Sequence, residues 1–215
     1  DLPHVKQQFH AYFPDVVMNE DGHFLSESWD DEKETVIVDF GLSQEFMRPL
    51  RAVRSLELDP LIGIAGALEN LDQGETGMFQ VLFQAVRHPW AESIMRSITD
   101  GEGKPFFLDA PEITRLAEEK VRRPLFAAVV RAIGQSPLSH RAWEITRGLA
   151  AGLTQTANPE SNELIPLTNE EYDDYVHKED VISRTTHRTG MIVNSEELAS
   201  LVHPPSISVR SMAAL

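Results

Sequence analysis

Eight histidines and 34 Asp and Glu residues are the groups of this 215-residue chain that could carry acid–base or metal chemistry. Their spacing does not assemble it. A zinc-binding helix needs two histidines one turn apart, but His4 and His10 are six apart and His177, His187 and His203 are scattered, with no HxxxH or HExxH. Surface or helix-cap positions suit these histidines better. A phosphate cradle of the G-x-x-x-x-G-K-[ST] kind fails at "DGEGKP", where Pro105 follows Lys104 and Ile98 stands where the first glycine belongs. "VMNEDGHFLSES" offers Asn19, Asp21 and Gly22 to a calcium loop but puts Val17 and Ser28 at two key ligand positions. "GLSQE" lacks the second glycine of a serine-nucleophile elbow. The pairs Asp173-Asp174 and Glu170-Glu171 read as solvated faces rather than as an acid and its base. With no cysteine, thiolate zinc sites, iron–sulfur clusters, disulfides and cysteine nucleophiles are excluded.

Recognition chemistry is the remaining class. A net charge of −15 repels phosphate backbones, which are bound through clustered cations that release counterions. Arg48, Arg51 and Arg54 form the one basic cluster; a helix would align them, whereas a strand would set Arg51 opposite the other two. They read as surface charge, with an acidic partner or a phosphate backbone as the minor alternative. Trp29, inside the acidic stretch 27–34, reads as a docking anchor, while Trp90 and Trp143 read as packing. No apolar run reaches membrane-spanning length, and "DLPHVKQQFH" has neither the basic flank nor the apolar core of a secretory signal. A chain that starts at Asp1 rather than methionine reads as a cut or processed piece.

The elements that would position these residues follow from periodicity. Residues 1–34 read as a short helix, with Val5, Phe9 and Phe13 on one face and Pro14 ending it, followed by an acidic loop. "TVIVDFGL" is a strand with Val36, Val38, Phe40 and Leu42 on one face, and "EFMRPLRAVRSLEL" reads as an extended edge segment around Pro49. Asp59 caps a helix opened by Pro60, with Leu61, Ile64, Ala65, Leu68 and Leu71 as its stripe. In "MFQVLFQAV" (78–86), Phe79, Val81, Phe83 and Ala85 point one way, and Gln80 and Gln84 mark the other face as half-wet or partner-facing. A helix from about Pro89 places Trp90, Ile94 and Ile98 in line.

"DGEGKPFFLDAPE" is a connection, placing a soft boundary between a first α+β unit, 35–105, and a second, 106–215. In the second unit Asp109 and Glu112 predict a capping box for a helix to about Arg122, and "LFAAVVRAI" is a strand. A helix follows with Leu138, Ala142, Ile145, Leu149 and Leu153 inward, then a short strand "ELIPL" and a small helix capped by Thr168 with Glu171. At the end, "GMIV" is a strand, Asn194 an N-cap, Glu197 its capping-box partner, and Pro204 and Pro205 the stop. The twofold recurrence of a strong strand before a tryptophan-bearing helix predicts an α+β fold of two ferredoxin-like strand–helix–strand units, side by side or fused through their sheets.

The succession "DPLIGIAGALENLDQGETGMFQVLFQAVRHPW", "KVRRPLFAAVVRAI", "SNELIPL" and "GMIVNSEELASLVHPPS" resembles the region before the ATPase core of HerA/FtsK-superfamily motors, in the conjugative-transfer and type IV secretion branch. The resemblance covers about residues 35–206 and is most specific at Asp59-Pro60-Leu61, Gln80-Val81-Leu82 and Asn194 to His203. It implies a non-catalytic docking and assembly region leading toward an ATPase domain, with no cofactor of its own and with ATP and Mg belonging to that domain. It further implies a homo-oligomer, hexameric through the ATPase domain, protein partners in a conjugation, secretion or defence complex, and only indirect contact with nucleic acid. The implied location is cytoplasmic, at the inner face of a membrane through partners and without insertion. The family's Walker and arginine-finger elements have no counterpart among these residues. Two rival readings are a hydrolase whose site forms only in three dimensions, and a nucleic-acid module using Arg48, Arg51 and Arg54.

Overall fold

The computed structural model describes residues 2–14, 17–18, 21–56, 58–85 and 89–203. It divides into two compact units, Asp1–Asp30 and Asp31–Leu215. In the first, α1 (Leu2–Tyr12) ends beside a pair of rings, Phe9 and Phe13, 5.9 Å apart. A short helix, α2 (Phe24–Ser28), opens on Asp21, whose Oδ1 accepts the amides of His23 and Phe24 at 2.9 Å. Trp29 closes α2 and is half-buried.

The second unit runs β1 (Glu34–Leu42), α3 (Pro60–Glu69), β2 (Thr76–Ala85), α4 (Trp90–Ile98), α5 (Pro111–Val121), β3 (Leu125–Ser136), α6 (Ser139–Gly152), β4 (Leu164–Pro166), α7 (Asp174–Ser183), β5 (Met191–Asn194) and α8 (Ser195–Ala199). All five strands join one antiparallel sheet in the order β2-β3-β1-β4, with β5 also on β3. One edge of β3 pairs with β2 from Phe126↔Ala85 to Gln135↔Thr76. Its other edge is shared, β5 taking Leu125 to Ala128 and β1 taking Val130 to Ser136. The fold is α+β, and β2 and β3, which lie on opposite sides of the 105/106 connection, pair within this one sheet.

Alternation assigns the faces. Phe40, Ala128, Val130, Ala132 and the partly buried Val38, Phe79 and Val81 pack against Ile64 of α3 and Ile145 and Leu149 of α6. A smaller cluster of Met47, Ile94, Ile98 and Ala117 lies under α4 and α5. The crossing of α6 over β3 is close enough to require glycine: a Cβ at Gly134 would sit 2.4 Å from the Ala142 carbonyl oxygen and 2.7 Å from Thr146 Oγ1. Gly134→Ala should therefore lower stability by about 1–3 kcal/mol, read from the urea midpoint, because strand or helix must move.

Two predicted caps form. Asp59 Oδ1 accepts the Leu61 amide at 2.8 Å and also meets His203 Nε2 at 2.9 Å. Asn194 Oδ1 accepts the amides of Glu196 and Glu197 at 3.0 Å, and Glu197 Oε2 accepts the Asn194 amide at 2.6 Å. Other expectations are corrected. The segment holding Arg48, Arg51 and Arg54 is no strand but a loop with one turn of 3-10 helix at Val53–Ser55. Pro49 has no N–H to give a ladder, and Asn162 instead donates to the carbonyls of Gln44, Glu45 and Arg48. Asp109 caps nothing: with Pro111 at the first helical position, the cap falls on Ala110. Thr168 is likewise displaced by Asp173, whose Oδ1 accepts the amides of Tyr175 and Val176 at 3.0 and 3.1 Å, so α7 starts later. Leu138, expected inward, is exposed just before α6. Val86, Pro204 and Pro205 lie outside the described residues.

Candidate functional site: a buried ionic centre and an open sheet edge

On the sheet face opposite α3 and α6, Asp39, Arg131 and Gln80 stand side by side in register across β1, β3 and β2. Arg131 Nε donates to Asp39 Oδ1 at 2.8 Å, and its Nη1 donates to Gln80 Oε1 at 3.2 Å and to the Thr185 carbonyl at 2.9 Å. Gln80 Nε2 in turn donates to the carbonyl of Val181 at 3.0 Å, which ties β2 to α7. Arg184 adopts a left-handed conformation (φ 56°) at the end of α7 and turns the chain back, so that Thr185, His187 and Arg188 return to the same centre.

Asp180 is the second anion. It accepts from the Tyr172 hydroxyl, from Thr185 Oγ1 at 2.8 Å and from the His187 amide at 2.9 Å, while His187 Nδ1 lies 2.9 Å from both its oxygens. Burial alone would raise this carboxyl; the hydrogen bonds from Tyr172, His187 and Thr185 outweigh it and hold Asp180 at about 2. Burial likewise pushes Asp39 up, and neighbouring His177 and Arg131 bring it below its ordinary value. Tyr172 is raised by burial and by its bond to Asp180. Asp39 Oδ2 has His177 Nε2 at 3.1 Å and Arg188 Nε at 3.3 Å, both at ion-pair distance, yet neither is aligned as a hydrogen bond. The Arg188 guanidinium carbon also sits 4.9 Å from the centre of the Tyr172 ring. His177 is therefore buried, correcting the expectation that the histidines are surface or cap residues.

A second buried pair lies under α8. Lys120 Nζ donates to Glu197 Oε1 at 2.7 Å, the Leu50 amide donates to the same oxygen at 2.6 Å, and both side chains are enclosed. Burial lowers Lys120 below the usual lysine range against the opposing pull of Glu197. The capping-box glutamate thus joins α5, α8 and the loop at Leu50.

Two surface cavities reach the first centre. One of about 450 Å3 has His177, Trp143, Asn169 and Lys178 in its wall, and one of about 550 Å3 is lined by Tyr172, His187, Arg188, Thr168, Glu170 and Glu171. Among the described residues no group of three or more His, Asp or Glu side chains is placed to hold a metal ion, and no helix is long and apolar enough to cross a membrane.

The sheet ends on β2, whose outer side pairs with no strand among the described residues. "TGMFQVLFQA" contains neither charge nor proline, and its last residues, Phe83, Gln84 and Ala85, are exposed. Phe83 is 54% exposed and meets Phe126 edge-on, with ring centres 6.2 Å apart.

Comparison with protein-family models, curated proteins and solved structures finds no match.

Of the residues singled out from sequence, the structure gathers few into one place. Gln80 is committed to the ionic centre rather than to an outside contact, whereas Gln84 stays at the open edge. Arg48 pairs with Glu45 at 3.0 Å and Arg54 with Glu196 at 3.9 Å, and the Arg51 amide donates to the Thr156 carbonyl. Asp39, Arg131, Asp180 and Lys120 went unremarked in the sequence, and His177 was read as a surface or cap residue. The available signal was one charge in the middle of each of two apolar strands, Asp39 in "TVIVDFGL" and Arg131 in "LFAAVVRAI".

Proposed function

We propose that this chain is a docking and assembly region of a HerA/FtsK-type motor, without catalysis of its own, that joins subunits or protein partners of a conjugation, secretion or related complex. ATP and Mg would serve the motor's ATPase domain, the assembly would be a hexamer, and the site of action would be cytoplasmic, at a membrane face reached through partners. The resemblance supplies the family, and each quoted segment falls on one element: "DPL" opens α3, "QVLFQ" lies in β2, "PLF" opens β3 and "NSEELA" holds the α8 capping box. The observation carrying the reading is the division of labour between the two faces of the polar chemistry. Both ionic centres are spent internally, fastening α7 and α8 to the sheet, while the outer side of β2 pairs with no strand among the described residues.

The test is isothermal titration of the purified chain into a HerA/FtsK-type ATPase encoded by the same genome. Saturable binding with Kd of about 10 μM or tighter is expected, and no heat at about 100 μM overturns the reading. A hydrolase is the second reading, favoured by one observation: His187 is held at Nδ1 by buried Asp180 while its ring is 69% exposed. That is how a general base is oriented. Turnover of an ester or phosphoester panel that His187→Gln abolishes would favour it, and an inert wild-type chain would end it.

A further inference from the structure

Exposed strand edges are normally protected, by short length, by charge or by proline, because their free backbone groups template pairing with another chain. The remaining strands of this sheet follow that rule: β4 has three residues and ends in Pro166, and β5 has four. β2 does not. It is ten residues long, uncharged, without proline, and it carries an exposed aromatic, Phe83, near its end.

We propose that β2 pairs with β2 of a second copy of this chain, antiparallel about a two-fold axis, so that two five-stranded sheets become one of ten strands. This rests on the assembly reading above and names its surface and partner. Charge selects the occupant. Each copy carries −15, so two copies repel unless they meet where neither holds charge, and β2 is such a stretch. A basic partner would instead be drawn to the acidic surface and would gain nothing from a neutral edge.

Symmetry fixes the register. Directly opposed residues of an antiparallel pair lie on the same face of the sheet, so the axis must pass through a residue rather than between two. With the axis at Val81, Phe79 lies opposite Phe83 of the second copy, and this contact occurs twice. Gly77 then faces Ala85, and Gln80 faces Leu82. An axis at Gln80 would set Phe83 against Gly77 and forgo both aromatic pairs. The Val81 register covers the exposed ring of Phe83 on the face it already shares with Phe79 and Val81, and so it is the one assigned.

The absence of cysteine makes the test clean. Directly opposed Cα atoms are about 4.5 or 5.5 Å apart, within disulfide reach. Val81→Cys, lying on the axis, should cross-link to itself under mild oxidation, whereas Gln84→Cys, which faces Met78, should not. Light scattering of the wild-type chain should give twice the chain mass, and Phe83→Lys should raise the dimer dissociation constant at least tenfold while leaving the circular dichroism melt in place. Gln84→Lys, on an exposed side chain, provides the same reading if Phe83→Lys fails to fold. A monomer at about 100 μM overturns the proposal. So does a dimer indifferent to both lysine variants, a cross-link through Gln84→Cys instead of Val81→Cys, or a monomer whose β2 amides resist hydrogen exchange, which would mean that something else covers the edge. A monomer that still binds the motor ATPase ends the dimer alone, while a dimer that binds no ATPase ends the motor assignment alone.

Discussion

Glu197→Ala is expected to destabilise the fold by about 3–5 kcal/mol, the cost of leaving a buried charge without its partner. The carboxylate accepts from Lys120 Nζ, the Leu50 amide and the Asn194 amide, so one substitution strands an ammonium and two backbone donors. The side chains of Lys120 and Glu197 are 0% and 1% exposed, and water cannot replace the lost oxygens without opening the structure. The double variant Lys120→Met with Glu197→Gln removes both charges and keeps an acceptor for one of the two amides, and should recover part of the loss. The pH dependence has a definite sign. Burial sets the folded Lys120 pKa below its ordinary 10.5, so the unfolded chain binds more protons between those two values and stability rises with pH across that window. Removing Glu197 withdraws the negative charge that opposes burial and widens the window downward. The deficit of Glu197→Ala in urea unfolding should therefore be largest near neutrality and shrink toward pH 10; a deficit that grows with pH would contradict the burial of this lysine.

Arg131→Leu should cost a comparable amount, about 3–5 kcal/mol, because it leaves Asp39 Oδ1, Gln80 Oε1 and the Thr185 carbonyl short of a donor in the interior. Amide exchange should show where the loss is felt, with protection falling over α7 and residues 184–188 before it falls in β3. Acid titration gives a second readout. Asp180 is held at about 2 against an ordinary 3.8, so the folded chain favours its ionised form and the unfolded chain takes up the proton first. That contribution, roughly 2 kcal/mol, is present above pH 4 and disappears as the pH falls toward 2, with Asp39 acting in the same direction. In Arg131→Leu, Asp39 loses one of the cations that lowers it, and acid unfolding should begin at higher pH than in the wild-type chain.

The elements defined by periodicity and capping chemistry were legible from the sequence: β1, β2, β3 and α6 from their apolar stripes, and the starts of α3 and α8 from Asp59 and Asn194. What escaped were competitions between neighbouring signals. Asp109 and Thr168 have the right types for caps, but Pro111 and Asp173 fix the helix starts elsewhere. The arginine-bearing segment has extended-type residues, yet distant Asn162 takes its carbonyls. The ionic centre is the largest omission. Its members span residues 39 to 188, and only register across three strands brings Asp39, Arg131 and Gln80 together, which no local spacing encodes.

The central place of β3 also sets an order of events. β1 and β2 make no ladder with each other, and each waits for the same strand, with Glu34 pairing to Ser136 across about a hundred intervening residues. A chain emerging from the ribosome therefore carries two adhesive strands unsatisfied until β3 is complete, and β5 later still. The chain should be most vulnerable to aggregation and proteolysis after residue 85 has emerged and before residue 136 has. Nascent-chain truncations within that interval should bind holdase chaperones, and those extending past β5 should be released.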